Sequence, residues 1–517
     1  MNPMNHLAVL PLTIPALAGA LLLICGGNRP LLARVLGLAA TALGAAAAAA
    51  LAADSLSGAY RVYALGDWMA PFGIVLVADR LSALLVLLTS IVALAALVYA
   101  ASGWDLRGRH FHALFQFQLM GINGAFLTGD LFNLFVFFEV LLIASYCLLL
   151  HGLGQQRLKA AVHYVAVNLT GSGVFLIAVS LLYGVTGTLN MAQLAERIAQ
   201  TPEADIALVR AACLMLLGVF AVKAALFPLY FWLPATYASA SPPVAALFAI
   251  MTKVGVYSIL RVTTLMFGGD SGAAASLTSP WLLPLALLTL AFGVIGALGA
   301  KRLGELVAHL TVASVGTLLA TLAAGGSAGL AGALYYLVHS TLIIAALFLL
   351  SDLIARQRGS TADGLVAAAP MGQQVLCGIA FLLAAATVAG APPSAGFLGK
   401  VMILQGVADH PAAPWIWGTV LASSLAALVA CSRAGSVLLW KFSAEPAPQT
   451  TAVRGSEWLP LCGLMAVSLL LVAFAGPLHR HAQATAAQLL APAQYVQAVV
   501  GGGGDRAPRP LGRELPR

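Results

Sequence analysis

The sequence is poor in charge. Of its 517 residues only 9% are Asp, Glu, Lys or Arg, against about 25% in an ordinary soluble domain. So few polar groups cannot cover a water-facing surface of this size. That excludes a cytosolic enzyme, a nucleic-acid binder and a disordered protein. Cysteine is scarce too: Cys25, Cys147, Cys213, Cys377, Cys431 and Cys462 each fall in an apolar run, and no CxxC pair occurs. A disulfide framework, a zinc site and an iron–sulfur cluster are set aside, and the six read as small buried hydrophobes. The sequence holds no Walker loop, no GxSxG elbow, no Rossmann glycine set and no histidine pairs at the spacing of di-haem bundles. The expectation is a chain that does no covalent chemistry and holds no cofactor or metal.

What is abundant is apolar length. Hydrophobic residues make up 61% of the chain and the mean hydropathy is +0.95. A spanning helix needs about 20 apolar residues, so the chain reads as an all-α integral membrane protein of about fourteen spans. They fall at 5–26, 31–53, 79–101, 111–128, 130–150, 160–184, 208–232, 243–266, 281–300, 304–324, 329–355, 372–407, 415–440 and 457–476. The first run lacks a basic leader and reads as a retained helix. Residues 58–78 form a loop with room for a short hairpin, and 187–207 an amphipathic surface helix. This divides the chain into a three-helix region (1–110), two five-helix units (111–266 and 267–440), a C-terminal helix (441–476) and a basic, Gly/Pro-rich disordered tail (477–517).

Loop charge predicts orientation. One side carries Arg29, Arg34, Arg107, Arg109, Arg157, Lys159, Lys301, Arg302, Arg356, Arg358, Lys441 and Arg454; the other has Arg61, Arg80, Arg197 and Arg210. The positive-inside rule puts the first set in the cytoplasm and both termini on the periplasmic side, although the basic tail runs against it.

Proline interrupts two spans. Span 7 contains Pro228, with Pro234, Pro242 and Pro243 just beyond, and span 12 contains Pro392 and Pro393. Broken backbone is tolerated in a membrane only inside protein or beside water. Each is the fourth helix of its five-helix unit, which points to an internal repeat with the transport site near the breaks. Two unrelated kinks are the competing reading.

With the loop and tail residues set aside, the ionisable groups singled out within spans are Glu139, Lys223, Lys253, Lys400, His163, His309 and His339. A charge at mid-bilayer costs at least about 2.5–3.5 kcal/mol, so its default reading is functional. Glu139 has no opposite charge within a turn of its own helix, and Lys223 is the best partner from elsewhere. Moving the carboxylate toward or away from the amine would load or release a proton. A static pair pinning two helices is the alternative. Lys253 and His339 suit a relay, since imidazole accepts on one nitrogen and donates from the other. Lys400 is the second unit's counterpart of Lys223, on the far side of its break. His309 and His163 are weaker candidates.

These segments resemble a known family. GDLFNLFVFFEVLLIASYCLLLHG, GVTGTLNMAQLAERI, KAALFPLYFWLPATYASASPPVAALFAIMTKVGVYSILR, YYLVHSTLIIAALFLLSDLI and PPSAGFLGK look like the D-type subunits of the multisubunit cation/proton antiporters of bacteria (Mrp, Mnh or Pha type). Those subunits are homologous to the proton-pumping membrane subunits of respiratory complex I. The likeness runs from about residue 75 to 440. It implies fourteen helices, two inverted five-helix repeats (spans 4–8 and 9–13), discontinuous spans 7 and 12, and a polar axis along the midplane. By motif it lays the family's proton-translocating residues on Glu139, Lys223, Lys253, His339 and Lys400. One stretch departs. Where the family often reads AYHSxSQxGY, this chain has AHLTVASVGT, so His309 stands for a tyrosine, and Ser314 and Thr317 for a glutamine and an aromatic. That stretch looks closer to the potassium-linked Pha-type members.

The resemblance implies a secondary transporter subunit in the bacterial inner membrane. It would exchange protons for Na⁺ or K⁺, work with other antiporter subunits and need no cofactor. The alternative is a proton-pumping arm subunit of a complex I-like dehydrogenase or membrane hydrogenase, which would use the same residues. An inert scaffold is the third reading.

Overall fold

The computed structural model describes residues 6–501, apart from 28, 69, 71, 269–270, 276 and 444–452. The described chain is almost wholly helical: α1 (Leu10–Cys25), α2 (Pro30–Ser55), α3 (Arg80–Ala100), α4 (Phe111–Leu127), α5 (Leu131–Leu149), α6 (Gln155–Thr186), α7 (Met191–Ala199), α8 (Ile206–Ala224), α9 (Trp232–Ser239), α10 (Pro242–Leu265), α11 (Ser279–Gly299), α12 (Leu303–Ala324), α13 (Ser327–Gln357), α14 (Gln374–Ala389), α15 (Ala395–Gly406), α16 (Ala413–Trp440), α17 (Gly455–Ala473), α18 (Ala475–Leu489) and α19 (Pro492–Val500). Helix is what a hydrocarbon environment demands, because only there does each segment satisfy its own backbone. Among the described residues eleven helices are long and apolar enough to cross a membrane, and this is a multi-pass membrane protein.

Helices α10, α12 and α13 lie at the centre: their most apolar windows are almost entirely buried. Around them, α2, α6, α16 and α17 turn large apolar side chains outward, among them Leu31, Leu169, Leu425 and Leu469. A soluble protein would not expose such a surface, but lipid covers it at no cost. This also corrects the reading of the cysteines. Cys213, Cys377 and Cys431 are buried, but Cys25, Cys147 and Cys462 are exposed on the outer faces.

Each predicted segment finds a helix. The loop after α2 contains an antiparallel hairpin, β1 (Arg61–Ala64) with β2 (Val75–Ala78), and α7 lies where the amphipathic helix was expected. The last forty residues depart from expectation. Instead of a disordered tail from 477 onward, residues 475–500 form α18 and α19. Ala482, Thr485, Ala486 and Leu489 make an i, i+3, i+4, i+7 stripe buried in a cluster with the core. Gln488 then bonds the Gly58 carbonyl and the Arg80 amide (2.9 and 3.1 Å). Their Ala- and Gln-rich composition hides this helix signal. Residues 502–517 lie outside the described residues.

Spans 7 and 12 are both discontinuous. In the first, α8 ends at Ala224, Ala225 takes a left-handed conformation, and α9 starts at Trp232. In the second, α14 ends at Ala389, Gly390 is left-handed, and α15 starts at Ala395. Ser394 caps α15 by accepting from the Phe397 amide (3.2 Å).

Candidate functional site: a buried polar axis

Glu139 sits midway along α5, half-buried. It accepts a hydrogen bond from the Ser172 hydroxyl of α6. Ser172 also bonds the Asn168 carbonyl one turn earlier (3.1 Å). Lys223, buried in the last turn of α8, donates to the backbone and side-chain oxygens of Asn168 (3.4 Å each). Its ammonium also lies 5.6 Å from the Phe138 ring centre. The expected Glu139–Lys223 contact is therefore indirect. Among the described residues no ion pair joins them. Asn168 and Ser172, four residues apart on one face of α6, stand between the carboxylate and the amine.

Lys253 is fully buried on α10, the most enclosed helix. Gly255 brings α10 against the end of α8, since a Cβ there would lie only 2.4 Å from the Ala224 nitrogen. Lys253 donates to the Ser314 hydroxyl of α12 (3.0 Å), and Ser314 donates to the Thr311 carbonyl (2.7 Å). Ser314 belongs to the stretch that departs from the family pattern, and it is the partner of the central lysine.

His339 is buried on α13, within electrostatic reach of both Lys253 and Lys400. Its Nδ1 has no protein partner. Gly396 makes room for the ring, because a Cβ there would lie 2.9 Å from His339 Nε2. Lys400 of α15 reaches back over the break to the last turn of α14. Its ammonium donates to the carbonyls of Val388 and Ala389 (3.3 and 2.9 Å) and to the Ser424 hydroxyl of α16 (2.9 Å). Lys400 also borders a cavity of about 30 Å³ shared with Ser314, Thr317, Tyr336 and Ser424. That is room for a water, which needs about 10–15 Å³ and two to four polar partners.

The other histidines lie off this row. His309 packs against Gly296 of α11, with an unpartnered Nδ1 and Glu305 one turn before it. His163 is exposed on α6. Tyr164, Asn168 and Ser172 claim the inward face at i, i+4 and i+8, which turns His163 outward.

Sequence reasoning missed several groups. Asn168, Ser172 and Ser424 are uncharged, and the signal available was the polar i, i+4 pair in NLTGS. Also missed was an ion pair of two buried partners, Arg261 of α10 with Asp79 (2.7 Å), beside Tyr257 and Tyr495. Asp79 doubles as the N-cap of α3, accepting from the Ser82 amide at 2.9 Å. Outside the spans, Asp105 accepts from both Arg34 (2.6 Å) and His112 (3.1 Å). Burial alone would raise its carboxyl, but these two donors hold it at about 2.

Lysines, a glutamate and a histidine within a helical membrane fold, beside two broken helices, point to a class: membrane subunits of ion-transport complexes. The residues 128–428 match the family model described as NADH:quinone oxidoreductase/Mrp antiporter, transmembrane. The chain belongs to that family. It is 43% identical to a probable K⁺/H⁺ antiporter D-type subunit from Rhizobium meliloti, covering 96% of this chain and 98% of that one. It is 37% identical to a Na⁺/H⁺ antiporter D-type subunit from Bacillus subtilis, covering 96% and 100%. Among solved structures, a chain of the Mrp complex from Dietzia sp. superposes with a TM-score of 0.85 at 28% identity, over 97% of this chain and 100% of that one. A chain of respiratory complex I from Thermus thermophilus, at 24% identity, shares the fold with a TM-score of 0.76 over 94% and 99%.

Proposed function

We propose that this chain is the proton-translocating subunit of a multisubunit monovalent cation/proton antiporter of the bacterial inner membrane. It acts as a secondary transporter subunit rather than an enzyme. The observation that carries the reading is Lys253: fully buried, with a neutral hydroxyl as its partner. An amine held this way can take and give a proton without breaking an ion pair. In this mechanism Glu139 and Lys223 exchange charge through Ser172 and Asn168. The proton passes over Lys253 and Ser314 to His339 and Lys400, with water in the small cavity completing the path. Cation movement is coupled through partner subunits, as the relatives' names and the Mrp assembly suggest. Fourteen spans in two inverted repeats, with the basic loops in the cytoplasm and the termini outside, complete the proposal. The antiporter reading is preferred to a redox-driven pump because the antiporter relatives are the more similar in sequence.

The test uses everted vesicles from an antiporter-deficient bacterium, following ΔpH on addition of K⁺ or Na⁺. The chain is expressed alone and with its genomic neighbours. The expected result is collapse of ΔpH with the full set only, and the responding ion names the substrate. No response from any combination, together with co-purification of flavin or iron–sulfur proteins, would move the assignment to a redox-driven pump.

A further inference from the structure

Between Trp281 and Gly299, helix α11 has a single polar side chain, the buried Thr289. Its hydroxyl donates to the Leu285 carbonyl one turn earlier (2.6 Å), as threonine within a helix commonly does. The oxygen is left with lone pairs to offer. It accepts the amide of Phe227 at 2.8 Å, from a residue 62 positions earlier in the chain.

Phe227 lies in the break between α8 and α9. The amides of Ala225 and Leu226 turn back to the Val222 and Ala221 carbonyls (3.1 and 2.9 Å), and that of Leu229 bonds Leu226 (2.7 Å). Pro228 has no amide to give. From Ala225 to Leu229, the Phe227 amide is therefore the one that leaves α8 and its break. The ring of the same residue stacks on Phe292 of α11, with centres 4.8 Å apart and planes at 17°. Phe292 is three residues from Thr289, on the same face of the helix. Two contacts thus tie the break to α11.

Helix α11 is in turn fixed to the wall beside the central lysine. A Cβ on Gly293 would lie 2.5 Å from the Ala313 nitrogen, and one on Gly316 would lie 2.3 Å from the Leu290 nitrogen. So α11 and α12 touch backbone to backbone, as small residues allow within a membrane. α12 carries Ser314, the partner of Lys253. The segment just after Lys223 is held to the same pair of helices.

We propose that Thr289 is a positioning residue for proton exchange at Lys223, an inference that rests on reading Lys223 as a proton-exchanging group. Its hydroxyl fixes the break, and the fixed break holds the end of α8 with the lysine facing Asn168. Thr289 bonds backbone on both sides, so it acts through the placement of Lys223.

The test is cation-driven dissipation of ΔpH in everted vesicles carrying the complete complex, with assembly and melting temperature followed in parallel. Thr289→Val keeps the shape of the side chain and removes the acceptor. It should lower the maximal rate about fivefold, the order of one hydrogen bond, and leave the cation concentration at half-maximal rate unchanged. Thr289→Ser, which keeps the hydroxyl, should recover most of the rate. The sharpest comparison is in the Asn168→Leu background. There Lys223 has already lost the side-chain acceptor it is held to face, so adding Thr289→Val should change the rate by less than about twofold. If Thr289→Val does not assemble, Thr289→Cys takes its place, because sulfur is close in size and a weak acceptor. Wild-type rate in the variant overturns the proposal. So does an equal loss in both backgrounds, which is the mark of a structural role alone. Glu139→Gln run alongside keeps two failures apart. Full exchange in that variant removes the polar axis itself, whereas loss there with full exchange in Thr289→Val removes only the role given to Thr289.

Discussion

The two broken helices solve one problem in different ways. A break frees carbonyls in the last turn of the leading half-helix, and each must find a donor. At the end of α8 the Val222 carbonyl takes both the Ala225 amide (3.1 Å) and the Trp232 indole N–H (3.2 Å). Lys223, on the same turn, is left to face Asn168 and, beyond it, Glu139. At the end of α14 the carbonyls of Val388 and Ala389 take Lys400 itself. So the lysines stand on opposite sides of their breaks in sequence, yet each belongs to the end of the leading half-helix. In the proposed mechanism the first lysine, with no backbone carbonyl of its own break to hold, is free for proton exchange with a carboxylate. The second is anchored by backbone at the negative end of a helix dipole, with Ser424 and a water-sized cavity beside it. In the proposed mechanism the first lysine changes partners, while the second takes and gives its proton without leaving the carbonyls that hold it.

The largest effects should come from the lysines themselves, and they should differ in kind. Both Lys223→Ala and Lys400→Ala should reduce cation-driven ΔpH dissipation to background. Lys400→Ala should also cost about 2 kcal/mol in stability, because it strands two buried carbonyls. Lys223→Ala should change the melting temperature little. Equal thermal shifts in the two variants would break the comparison. Next in size, Asn168→Leu should cut the transport rate by about tenfold, since it removes the side-chain acceptor facing Lys223. Ser172→Ala should act in the same direction, and full rates in both would remove α6 from the path. Trp232→Phe should be milder, with a partial loss of transport. Smallest is Ser314→Ala, expected to slow transport severalfold. Ser314→Thr, which keeps the hydroxyl, should be close to wild type.

The ends of the helices and their breaks were legible because apolar runs and prolines are one-dimensional signals. Glu139, Lys223, Lys253, His339 and Lys400 were legible because charge within a span is rare. Their wiring was not. Whether Glu139 meets Lys223 directly depends on how α5, α6 and α8 are rotated about their axes, and spacing along one helix does not report that. Serine, threonine and asparagine are common in spans, so Asn168, Ser172 and Ser424 did not stand out. His163 stood out for its residue type and faces outward all the same. Arg261 escapes notice because it falls near a span end, where a charge normally reaches water. In the fold, Asp79 and Tyr495 enclose it. Tyr495 in turn comes from the C-terminal helices, whose composition suggested no packing at all.

The central claim is that protons cross this protein along the buried axis that starts at Glu139. The most direct test is Glu139→Gln in the complete complex, which keeps the shape of the side chain and removes its proton exchange. Cation-induced collapse of ΔpH in everted vesicles should disappear, while the variant inserts and assembles at wild-type levels. Exchange at the wild-type rate in that variant would contradict the account.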